Sequence, residues 1–145
     1  MQVLRRSRAR FLAPVLALVA IIGCGGDGPT SPGNLAGSYA ATTLQVTPDG
    51  QAPINVLSNG GSLTLTLNND NSVTGTLNLP ASVTGQQALT ASMSGTVVVG
   101  NNTVAFQQTA DTFVRDLTWS VGTNALSVTN QRAGAAVFTI TLTRQ

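Results

Sequence analysis

The residues from Leu35 onward predict an all-β domain, an antiparallel meander of about eight strands that closes into a small barrel. Two observations carry this. Apolar residues recur every second position, as on half-buried strands with one wet face. Clusters of Gly, Asn, Asp and Pro break the runs at hairpin spacing. A third is compositional: Thr fills 20 of the 122 positions from Cys24 on, and this β-branched polar residue suits the wet face of a strand. A β-sandwich interaction module is the alternative that the same pattern allows.

The chain of 145 residues suits one folded domain. Its first segment is of another kind. Arg5, Arg6, Arg8 and Arg10 precede Phe11–Ile22, twelve residues that are apolar apart from Pro14. A basic start, a short apolar run and small residues after it mark a secretory signal peptide over residues 1–23. Twelve residues rise only about 18 Å as a helix, too little for a bilayer core of roughly 30 Å. Arg5-Arg6 also leaves a twin-arginine export route open, although the residues after it fit poorly.

Removing that segment changes the charge arithmetic. The whole chain has a formal charge of +2 and a pI near 9.5. The part from Cys24 keeps three Arg and five Asp, a side-chain charge of −2. No basic patch with interleaved aromatics remains, so no nucleic-acid partner is expected. Gly25–Asn34 reads GGDGPTSPGN, a flexible linker with no apolar residue to bury.

Strands are expected at 37–46, 54–58, 61–68, 72–79, 91–99, 103–109, 112–121 and 125–130, with a ninth at 135–144. The short second segment could equally belong to a loop. Leu63, Leu65 and Leu67 share one face, as do Val73, Leu77 and Leu79, then Met93, Val97 and Val99, and then Phe138, Ile140 and Leu142. Turns fall at Pro48-Asp49-Gly50, Asn59-Gly60-Gly61, Asn68–Asn71, Gly100-Asn101-Asn102, Gly122-Thr123-Asn124 and Arg132-Ala133-Gly134. The long, regular last strand is what closure against the first would need.

Catalytic sets are nearly absent. The chain has no His, Lys or Glu and a single Cys, so no usual base stands beside its Ser residues, and no enzyme activity is expected. No metal or cofactor site is expected either. Asn69-Asp70-Asn71 and Asp49-Gly50 carry one carboxylate each, too few for a calcium loop. Arg115 shares strand parity with Phe113, Leu117 and Trp119. It is therefore a candidate polar anchor inside the barrel, the competing readings being a surface ion pair with Asp111 and a strand end or bulge at this point. Trp119 and the Phe residues 106, 113 and 138 read as core.

Ile21-Ile22-Gly23-Cys24 resembles the lipobox of bacterial lipoproteins. The resemblance implies a diacylglyceryl group on the Cys24 sulfur, cleavage before Cys24 and acylation of the new N-terminus. The lipid-anchored chain would then sit in the cell envelope, and Gly25 rather than Asp after the lipidated residue implies the outer membrane. Leu35-Ala36-Gly37-Ser38-Tyr39 at the start and Thr141-Leu142-Thr143-Arg144 at the end resemble small bacterial lipocalin-like lipoproteins. That resemblance implies a lipocalin-like barrel over 35–145, with Tyr39 closing one end and Arg144 packing across it. Tyr stands where those proteins usually have Trp. It also implies a small apolar ligand or a structural role in the envelope. The short strands favour a filled or shallow barrel.

Overall fold

The computed structural model describes residues 32–145. The expected signal segment 1–23, Cys24 and the expected linker through residue 31 lie outside the described residues. After one turn, α1 (Pro32–Leu35), the strands are β1 (Gly37–Pro48), β2 (Ile54–Asn55), β3 (Ser62–Leu67), β4 (Ser72–Leu79), β5 (Leu89–Val99), β6 (Thr103–Gln108), β7 (Thr118–Val121), β8 (Ala125–Ala133) and β9 (Ala136–Arg144). Two further helical turns, α2 (Ala81–Thr84) and α3 (Phe113–Asp116), sit in the β4–β5 and β6–β7 connections. Every pairing is antiparallel, and β1 pairs with both β3 and β9. The result is a closed eight-stranded barrel, with β2 as an extra strand that extends the β3 side of β1. Closure sets the sandwich layout aside.

The seam between β1 and β9 is the longest in the barrel, running from Tyr39–Arg144 to Pro48–Ala136. It contains one bulge, between Ala41 and Thr43. An extra residue in one strand reverses which side chains face inward beyond it. Tyr39 is buried before the bulge and Leu44 after it, so odd positions give way to even ones. The Thr42 hydroxyl bonds that of Thr143 at 3.0 Å across the seam. A second bulge follows Val128 in β8, where Asn130 has φ +50°.

Inward side chains fill the barrel. Leu63, Leu65, Val73, Leu77, Leu126 and Ile140 are each about 1% exposed or less. Trp119 has no exposed surface; its indole N–H donates to the Val114 carbonyl at 3.2 Å. Its ring meets Phe106 edge to face, with centroids 5.6 Å apart. Burying an apolar side chain of this size stabilises by about 1.5–3 kcal/mol, so the interior is a core rather than a lumen. Gly75 and Gly95 stand at inward positions on β4 and β5. A Cβ at Gly95 would run into the Gln107 carbonyl of the next strand, so this glycine permits the close approach that a narrow barrel needs.

The expected strand at 112–121 is corrected. Its first half is the turn α3, and β7 is only Thr118–Val121. Val114 and Leu117, three apart, are both buried, a helical spacing that the odd-numbered apolar residues had masked. Short β7 pairs with β8 at only two positions. The Gln131 amide extends that junction, accepting from Thr118 N at 3.0 Å and donating to Thr118 O at 2.6 Å.

Candidate functional site

The barrel has two unlike ends. At the N-terminal end β1 begins, β9 ends and the 122–124 turn lies beside them. Leu35 and Tyr39 are 4% and 3% exposed and plug the opening. The Tyr39 hydroxyl donates to the Leu35 carbonyl at 2.8 Å. Arg144 crosses the plug, its guanidinium carbon 5.8 Å from the Tyr39 ring centre. Its Nη2 donates to the carbonyls of Asn34, at 3.0 Å, and Ala36. Thus the last strand clips down the segment that leads into the first. Gly37 makes room for this: its φ is +152°, and a Cβ there would lie 2.6 Å from Arg144 Nε. Burial pushes the Tyr39 phenol above its ordinary pKa, and the Arg144 charge partly offsets this.

An open cleft of about 460 Å³ lies at this end, lined by Asn34, Tyr39, Val121, Gly122, Thr123 and Arg144 among others. Its lining mixes polar and apolar groups almost evenly and it stands half open to solvent, unlike the enclosed interior of a ligand-binding cup.

The far end is apolar. Leu44, Val56, Leu79, Val83, Phe113 and Phe138 surround a cup of about 130 Å³. Phe113 and Phe138 stack with centroids 4.3 Å apart and planes 20° apart, forming one wall. α2 and α3 cover part of the opening, since Val83 and Phe113 come from them. Ligand pockets for drug-sized molecules run to about 300 Å³ and above. A dry cavity of about 150 Å³ takes a benzene-sized group. The cup therefore has room for a single ring or a short alkyl group.

Arg115 does not reach the interior. The turn α3 places it at the rim, where its side chain is 38% exposed and faces Asp111 and, at 3.3 Å, Asp116. A helical turn brings both carboxylates to one guanidinium, where a strand would have sent Asp116 the opposite way. Arg132 and Asp49 form a second surface pair at this end, at 2.8 Å. The Arg132 hydrogen bond holds the Asp49 carboxyl below its ordinary range.

The structure brings Tyr39 and Arg144 together; Cys24 lies outside the described residues. Sequence reasoning missed the carbonyl acceptors at Asn34, Leu35 and Ala36, which no side-chain pattern marks. It also missed Gln108. This side chain faces inward beside Gly95, is 8% exposed, and has no partner for either amide atom among the described residues. Its parity with Val104 and Phe106 was the available signal.

Among the described residues no helix is long and apolar enough to cross a membrane. Comparison with protein-family models, curated proteins and solved structures finds no match to this chain.

Proposed function

We propose that the chain is a lipid-anchored protein of a bacterial cell envelope, with the lipid on Cys24 and a lipocalin-like barrel displayed on a short tether. One observation carries this reading: the only thiol of the chain stands directly behind an export signal, at the last position of Ile21-Ile22-Gly23-Cys24. Two or three acyl chains there hold a protein to a bilayer, whereas one binds marginally, at about 0.8 kcal/mol per buried methylene. Gly25 supports the outer membrane as the destination.

The packed interior supports a role as a rigid structural module of the envelope. A small hydrophobic ligand, where one is bound, is held by the apolar cup of the far end and not inside the barrel. Metabolic labelling with an alkyne fatty acid tests the anchor. The chain made with its own leader takes up the label and fractionates with membranes. Cys24→Ser takes up none and leaves the membrane fraction. An unlabelled wild-type chain refutes the reading.

A further inference from the structure

The three arginines of the described residues differ in how their charge is met. Arg115 faces two carboxylates and Arg132 one. Arg144 has no carboxylate within ion-pair distance among the described residues. Its Nη2 donates to two backbone carbonyls, which accept hydrogen bonds but do not cancel a full charge. Its Nε–H and Nη1 groups have no hydrogen-bond acceptor among the described residues, and Nη1 lies away from Gly37, which packs against Nε. This cation borders the cleft of about 460 Å³ at the N-terminal end of the barrel. The exposed Thr123 lines the same cleft, and its hydroxyl makes no hydrogen bond among the described residues.

We propose that this cleft binds a phosphate-type anion, taking its charge on the free face of the Arg144 guanidinium and a hydroxyl contact from Thr123. Charge-assisted hydrogen bonds to phosphate are the strong ones, and arginine donors suit them. One guanidinium whose Nη2 is already engaged makes a weak site, so the ligand must be locally abundant. The chain leads into the barrel at this end, from Pro32 through Leu35. On the reading of a lipid anchor at Cys24, the cleft then lies a short tether from the bilayer. A flexible link of that length gives an effective concentration on the order of millimolar. A phospholipid head group is therefore the expected carrier of the phosphate, with free phosphate as the other source of the same chemistry.

The test uses the full chain, ¹⁵N-labelled, in uncharged detergent micelles, with signals of the Arg144 Nε–H and the Thr123 amide followed by NMR. One arm adds phosphatidylglycerol to the micelles, a second adds inorganic phosphate, and chloride holds ionic strength constant. Saturable shifts at both groups with phosphatidylglycerol, at least tenfold tighter than with inorganic phosphate, support the head group. Saturable shifts with inorganic phosphate at equal strength support the anion site with free phosphate as its source. Thr123→Asp places a carboxylate in the cleft without removing a hydrogen bond of the fold, and weakens the shifts at least fivefold. Arg144→Lys keeps the charge and retains part of them. Absence of shifts in both arms, or shifts unchanged in Thr123→Asp, overturns the proposal. The anchor is read separately from the mass of the Cys24 peptide. Unmodified Cys24 with saturable shifts removes the anchor and keeps the site; lipidated Cys24 without shifts does the reverse.

Discussion

Arg144 is the direct partner of Tyr39 across the β1–β9 seam, and its guanidinium also lies over the Tyr39 ring at 5.8 Å. One side chain thus joins the last strand to the first and ties both to the carbonyls of Asn34 and Ala36. Replacing it by Ala removes a cation–π contact of about 0.5–2 kcal/mol and hydrogen bonds from a charged donor, worth about 1.5–3 kcal/mol each. Partial exposure reduces the sum, and Arg144→Ala is expected to lose about 2–3 kcal/mol in urea unfolding. A loss below about 0.5 kcal/mol, the range of ordinary surface substitutions, would show that the clip contributes nothing.

Gly37 is required by the same clip. Gly37→Ala puts a Cβ against Arg144 Nε in a backbone region that L residues rarely adopt. The expected cost is about 1–3 kcal/mol. Combined with Arg144→Ala, the cost falls below the sum of the two single changes, because the clash then has no partner. Strict additivity in a double-mutant cycle contradicts this arrangement.

Tyr39 gives a clean alkaline signature, because the chain has one Tyr and no Lys. Its folded pKa lies above the ordinary value of 10.0, through burial and against the opposing charge of Arg144. An acid whose folded pKa is raised keeps its full contribution below the unfolded pKa. That contribution is lost as pH climbs from the unfolded value through the folded one. Stability therefore declines above about pH 10, the ordinary tyrosine range, and Tyr39→Phe flattens the decline. Absorbance titration of the single phenolate checks the direction. A midpoint below that of a free tyrosine is incompatible with a desolvated hydroxyl.

Gln108 is a polar side chain at a core position, with both amide atoms unpartnered among the described residues. Removing an unpaired buried polar group while keeping its volume is neutral or stabilising, by about 1 kcal/mol. Gln108→Met is therefore expected to leave the urea midpoint unchanged or raise it. A fall equivalent to more than about 2 kcal/mol would mean that ordered water supplies the missing partners.

Much of this barrel is legible in the chain because alternation reports directly on which face is buried. Leu63, Leu65 and Leu67, or Phe138, Ile140 and Leu142, leave little choice of orientation. The bulges are not legible: Thr42 and Asn130 look like any wet-face residue, yet they reverse the parity of the residues after them. α3 escaped for a related reason, since Phe113, Leu117, Trp119 and Val121 match a strand by number alone. The Arg144–Tyr39 pairing was implied only by the resemblance of the two chain ends to lipocalin-like lipoproteins. Its backbone acceptors were not, because carbonyls have no letter in a sequence. The apolar cup was likewise hidden, being assembled from β1, β4, β9 and three connections.

The central claim, a barrel held to a membrane through Cys24, rests on one atom, and intact mass spectrometry of the protein extracted from its own membranes addresses it directly. The account predicts a mature chain that starts at Cys24, with no residues of 1–23, and carries a diacylglyceryl group on sulfur plus the mass of an N-terminal acyl chain. A chain that retains an unmodified Cys24 thiol, or one cut elsewhere in residues 1–34, contradicts it.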